Sequence, residues 1–292
     1  MITLRHMPHK NKTNKLVSII KKYPVLSFFV LAYLGSWIGW SPWWLSESGI
    51  GVLPYELPFN AIAGINQIGM FAGPFAAAFL ITRIVEGRDG LKKFQKRIFQ
   101  WRASPLAYLI AFIFIPVSII LGYFLMQAAA IAPEIGIATI GTLFTTYLVY
   151  IVGGPLQEEP GWRGFALPIL QKQMHPTSAA LLLGVVHCFW HTPLFFTGEW
   201  DTARQDPSQL VAYLVLVVSL SFVMSWVANR ANGSILLPIF AHNGVNWALF
   251  TVAALTGTAV VTNWPAAIGM TVLALAAVVF TRGRLGYNRN SN

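Results

Sequence analysis

Charge is scarce in this sequence. Only 10% of its 292 residues are Asp, Glu, Lys or Arg, against roughly 25% in soluble domains, which excludes an ordinary soluble fold. Acids are scarcer still, ten against twenty basic residues. Cysteine occurs once, as Cys188, so an intramolecular disulfide and a Cys-based zinc cluster are both excluded and buried packing is its expected role. Internal repeats with a period of about 20 to 50 residues are absent, as is the inverted-repeat pattern that many transporters carry. No His-Glu-x-x-His run occurs anywhere in the chain.

What is abundant is oil. Hydrophobic residues make up 55% of the chain and mean hydropathy is +0.59. Apolar runs near the roughly 20 residues needed to cross a bilayer recur along the whole chain. Eight spans are expected, at 24–45, 61–82, 104–129, 136–157, 177–197, 209–228, 234–255 and 264–281. The expected fold class is therefore all-α, a polytopic membrane protein of about eight transmembrane helices with both termini cytoplasmic.

A net charge of +10 could suggest nucleic acid, but the placement of the charges rejects it. Nineteen of the twenty basic residues fall in segments that share one side with the N-terminus, including Arg163 and Lys172, and only Arg204 falls outside. Six acids, Glu47, Glu56, Glu134, Glu199, Asp201 and Asp206, lie in the opposite loops. The positive-inside rule then makes the basic side cytoplasmic. The first run is too long for a usual signal-peptide core, and "LGSWIGWSPWWL" offers tryptophans where a small-residue cleavage site would stand.

The chain divides into a basic N-terminus (1–23), accessory spans 1 to 3 (24–135), a core of spans 4 to 7 (136–255), and a last span with a basic tail (256–292). Within the accessory part, the loop 83–103 carries Leu91, Phe94, Ile98 and Trp101 at helical spacing among lysines and arginines. An amphipathic helix lying on anionic lipid is expected there. Trp40, Trp43 and Trp44, at an outer span end, are expected to be interfacial belt residues.

Ionisable groups inside a bilayer cost about 2.5 to 3.5 kcal/mol each on insertion scales, so they line cavities or pair. Those in the runs are few. Glu158, Glu159 and Arg163 stand at the end of span 4, His187 and His191 in span 5, and His242, with Asn243 and Asn246, in span 7; the interiors of spans 1, 2, 3 and 8 have no ionisable residue. On a helix Glu159 and Arg163 can pair at i, i+4, leaving Glu158 to point elsewhere. His187 taken alone reads as a packed or helix-bonding histidine, and Asn243 as packing. If the polar stripes converge, a carboxylate, imidazoles and an amide surround a small wet cavity, equipment for activating water and stabilising an oxyanion.

Three stretches carry a resemblance. "EEPGWRG" at 158–164, "FWHTPLF" at 189–195 and "HNGVN" at 242–246 resemble, in order, the motifs of the CAAX-protease and bacteriocin-processing family of intramembrane endopeptidases, which includes the Ras-converting prenyl endopeptidase. The similarity covers residues from about 140 to 253. It implies that Glu158 activates water with help from His191, that His242 and Asn246 stabilise the oxyanion, and that Arg163 orients Glu159. It also implies a multi-pass protein of the cell membrane, with its site reached from the cytoplasm and a membrane-associated peptide or protein as substrate. A divalent metal such as zinc stays open; if present, Glu158, His191 and His242 would hold it. Where the family usually has an aromatic residue, four before the second-motif histidine, this chain has His187, a local variant or an extra ligand.

Two other classes fit the same polar set: a transporter or channel using Glu158, His191 and His242 as a proton or ion relay, and a catalytically silent membrane scaffold. The motifs do not speak to oligomeric state. One tension remains in the linear reading. At 1.5 Å per residue, His191 lies roughly 21 Å and His242 roughly 14 Å into their spans, whereas Glu158 falls at the cytoplasmic end of its own. Either span 4 starts later than drawn, or Gly153, Gly154, Pro155 and Pro160 break it inside a protein-lined cavity. Pro160 places the glutamate pair at a break or a helix start.

Overall fold

The computed structural model describes residues 15–127, 136–198, 206–257, 260 and 262–288. Arg5, Lys10, Lys12, Glu134, Glu199, Asp201, Arg204, Arg289 and the end of the expected third span lie outside the described residues. Among those described, the chain is helical with no strand. The helices are α1 (Lys15–Lys22), α2 (Pro24–Gly39), α3 (Phe59–Ile98), α4 (Pro105–Met126), α5 (Ile137–Val152) and α6 (Pro155–Glu159). A π-helical segment (Pro160–Ala166) leads into α7 (Leu167–Gln173), followed by α8 (Pro176–Trp190), α9 (Ser208–Arg230), α10 (Leu236–Thr256) and α11 (Trp264–Phe280). Proline stands in the first turn of α2, α4, α6, α8 and α11, where its missing N–H is one the helix would leave unpaired anyway.

Each expected apolar run coincides with a helix, but the helices are unequal. Among the described residues, four helical stretches are long and apolar enough to cross a membrane: α3, α4, α9 and the path Ile137–Gln173. A fifth arises if α1 and α2, bent by 109°, count as one span, while α8 and α11 are shorter apolar helices. The fifth run stops early because the chain leaves α8 at His191 and tightens into a 3₁₀ turn, Thr192–Phe196, with Pro193 at its start.

Three local expectations change. The basic arm after Gly87, where φ is +75°, is helical to Ile98, yet Phe94 and Ile98 are buried against protein and Trp101 projects beyond the helix end. Phe94 meets Phe79 edge-on at 5.3 Å, and Arg97 Nε donates to the Gly233 carbonyl at 2.7 Å, so Phe94 and Ile98 of the arm's apolar face are spent inside the bundle. The tryptophans at the end of α2 also turn inward: Trp40 and Trp43 are buried, and Trp40 Nε1 donates to the Asn66 carbonyl. A buried indole with its N–H satisfied packs as well as any core residue, so the belt reading fails for these two. Finally, "PGWRGFALPILQKQ", expected as a cytoplasmic loop, is helical and buries Arg163.

Two hydrophobic cores hold the bundle. One is built mainly from α4, α9, α10 and α11, around Ile115, Leu220, Met224 and Met270. The other joins α1 to α3 with the π segment, α7 and α8, around Phe28, Trp40, Trp162 and Trp190. The π segment reaches its neighbour through Gly161, where a Cβ would lie 2.7 Å from the Pro74 carbonyl and 2.8 Å from the Phe28 ring. Only a residue without Cβ permits that approach. The motif residues stand along the seam between the two cores.

Candidate active site

The break before the glutamates is made by Gly153 and Gly154. Val152 ends α5, and Pro155 starts α6. Glu158 therefore sits in the first turn of a new helical path, where exposed backbone N–H groups favour a carboxylate. Pro160 does not interrupt that path. It opens the π segment, whose wider turns accommodate a residue with no N–H to give, and Glu159 keeps helical dihedrals. Helix continues to Gln173, so the pair lies far from the end of its segment, which resolves the tension over depth.

The resolution has a simple geometry. Helix α7 and helix α8 form a hairpin turning at Met174 and His175, the latter held extended by the following Pro176. Glu158 lies fifteen residues before Gln173 and His191 fifteen after Pro176, so both stand about 22 Å from the turn.

At that level the side chains converge. Glu158 Oε2 and His187 Nε2 are 2.7 Å apart. Glu159 Oε1 accepts from Arg163 Nη1 at 3.0 Å and lies 2.7 Å from His242 Nδ1. His191 Nδ1 donates to the His187 carbonyl at 3.2 Å, which puts that ring's lone pair on Nε2. Asn246 is placed by a backbone marker: a Cβ on Gly154 would lie 3.4 Å from Glu158 Oε1 and 3.9 Å from Asn246 Nδ2. All of Glu158, His187, His191, His242 and Asn246 line one cavity of about 590 Å³. Arg163 is not on its wall and meets it through Glu159 and His187.

The pairing assigns different parts to the two glutamates. Glu159 is buried and its Oε1 is shared by a guanidinium and an imidazole, so its charge is compensated where it stands. With neutral imidazoles the group holds two carboxylates and one guanidinium, and the excess negative charge belongs to Glu158, on the cavity wall.

Several residues escaped the linear reading. His187 is bonded to Glu158 rather than merely packed. Asn66, from α3, lines the same cavity, and Gln67 Oε1 accepts from Gln157 Nε2 at 2.6 Å, so the polar set is not confined to the second half of the chain. Both amides are uncharged, which is why a search for ionisable groups passed over them. Tyr213, in α9, lines the cavity with its ring 5.6 Å from His191. Asn243 contributes elsewhere, donating from Nδ2 to the Tyr147 carbonyl and tying α10 to α5.

Glu158, His187 and His191 could hold a metal ion, since their donor atoms lie within 4.8 Å of one another. This set has His187 where His242 was expected. One contact argues against His187 as a ligand. Arg163 Nη1 lies 3.4 Å from His187 Nδ1, and a guanidinium can only donate. Nδ1 must then accept, and the ring proton stands on Nε2, where a metal would need a lone pair. Spacing suits an ion; the donor chemistry of His187 does not.

Comparison with known proteins bears on the same stretch. A CAAX prenyl protease 2 from Methanococcus maripaludis is 24% identical over 199 residues, which are 64% of this chain and 73% of that protein. Residues 140–248, which contain all three motifs, match the family model described as type II CAAX prenyl endopeptidase Rce1-like. The resemblance seen in the motifs thus extends over the site-bearing stretch, which is similar to the Rce1-like CAAX prenyl endopeptidases.

Proposed function

We propose that this chain is an intramembrane endopeptidase that hydrolyses a peptide bond of a membrane-associated peptide or protein with water activated by Glu158 and His191. The observation that carries the reading is the convergence of the Glu158 carboxylate, three imidazoles and the Asn246 amide on a single cavity between apolar helices.

Water in the cavity donates one hydrogen bond to Glu158 and one to His191 Nε2. Glu158 takes a proton as the oxygen attacks the scissile carbonyl carbon, giving a tetrahedral intermediate. Asn246 Nδ2 and His242 Nε2 donate to its oxyanion. For His242 to donate there while Nδ1 donates to Glu159, the ring acts as an imidazolium. Two carboxylates then face two cations, and the buried group is neutral. The proton held by Glu158 passes to the amine nitrogen as the C–N bond breaks. Arg163 and Glu159 hold His242 in place; no step needs a metal.

The bilayer surrounds the bundle, and the basic α7–α8 hairpin marks its cytoplasmic end; the cavity lies about 22 Å from that turn and is lined in part by Val260, Thr262 and Asn263, between α10 and α11. The substrate class follows the name of the Methanococcus relative only as a starting point. The test is a cleavage assay on purified protein with matched peptides, with and without a prenyl chain, comparing the natural chain with Glu158→Ala and His191→Ala. Cleavage lost in both variants supports the assignment. Undiminished cleavage in both overturns it, and ion flux abolished by the same changes, with no peptide cleaved, would make the protein a transporter.

A further inference from the structure

We infer that His187 is a positioning residue: Arg163 holds it in the Nε2–H form, and through that proton it aims the Glu158 carboxylate at water. The inference rests on Glu158 as the water-activating group and adds a part for the residue in which this chain departs from the motif it resembles.

The geometry is a chain of four side chains. Glu159 Oε1 accepts from Arg163 Nη1 at 3.0 Å, Arg163 Nη1 faces His187 Nδ1 at 3.4 Å, and His187 Nε2 stands 2.7 Å from Glu158 Oε2. Arg163 has only hydrogens to offer, so the direction of every bond is fixed. The two glutamates are thereby coupled: the compensated one anchors the arginine, the arginine sets the tautomer, and the imidazole orients the other carboxylate. Its ring is flanked by Trp162 at 4.9 Å and His191 at 5.3 Å, tilted 31° to each. A carboxylate with one oxygen held this way presents the other, Oε1, toward Gly154 and Asn246. That is where a substrate carbonyl must lie if Asn246 is to reach its oxygen.

An aromatic residue at 187 would keep the stack on Trp162 and lose only the proton. The test therefore uses His187→Phe, His187→Gln and Glu158→Gln in the full-length protein, with peptide cleavage measured as kcat and KM and metal content by elemental analysis. Losing a hydrogen bond to a charged group predicts a fall in kcat of roughly 10- to 100-fold for His187→Phe with KM nearly unchanged. Gln places an amide N–H close to the position of Nε2, and His187→Gln is expected to recover most of that loss. Unchanged kcat in His187→Phe, with Glu158→Gln inactive, overturns the inference and leaves the proposed function standing. Activity retained by Glu158→Gln removes the proposed function itself. Stoichiometric metal in the natural chain that disappears in both His187 variants, with no rescue by Gln, would make His187 a ligand and also overturn the inference.

Discussion

Replacing Arg163 with methionine is the sharpest perturbation of the buried network. Glu159 and Arg163 both have side chains with 0% exposure and meet at 3.0 Å. Removing the arginine leaves a carboxylate with no cation in reach except His242, and breaking a buried pair from one side costs about 3 to 5 kcal/mol. Glu159→Gln alone strands the guanidinium and is expected to cost a similar amount. Removing both charges together strands neither, and an apolar or neutral pair of similar volume is often close to neutral in stability. The double variant, Arg163→Met with Glu159→Gln, should therefore be more stable than either single one, with a coupling of about 3 kcal/mol or more. Reversible unfolding in mixed detergent micelles measures the cycle. Cleavage behaves differently: without Arg163 the His187 tautomer is no longer set, so the double variant regains stability while its kcat stays low. Additive stabilities, or recovery of kcat with stability, would refute the reasoning.

Other outcomes follow from the same geometry. Asn246→Ala, which removes one oxyanion donor, should lower kcat by about 10²- to 10³-fold in the peptide assay. Gly161→Ala forces a Cβ to within 2.7 Å of the Pro74 carbonyl and should lower stability by about 1 to 3 kcal/mol, read from the same unfolding curves. Extended dialysis against a chelator should leave the cleavage rate within about twofold, because His187 presents a proton where a ligand needs a lone pair; activity lost and then restored by added zinc would contradict that.

The helical fold class and the set of polar residues that converge on one cavity were legible in the sequence because both rest on strong local signals. A bilayer penalises every stray charge, so Glu158, His191 and His242 stood out against their apolar runs. The hidden part depended on what surrounds a residue rather than on what it is. Arg163 read as a cytoplasmic cation since it follows an apparent span end; the helical path through "PGWRGFALPILQKQ" became visible only with the π segment that absorbs Pro160. Trp40 read as interfacial because its neighbours in sequence are tryptophans too, whereas its neighbours in space are Trp190 and Asn66. His187 carried the same ambiguity: in one dimension it is a variant position, and its proton is assigned only by a guanidinium twenty-four residues away.

The α7–α8 hairpin imposes a rule of register on this architecture. One residue added to a single arm would lift its functional group by about 1.5 Å and swing it about 100° around the helix axis, past any hydrogen-bonding partner. The arm before the turn and the arm after it can therefore change length only together, in steps close to whole helical turns. Sequences built on this plan are free to vary in the loop that joins the arms, while the distance of each functional group from the turn stays locked to such steps, like two scales read against one zero.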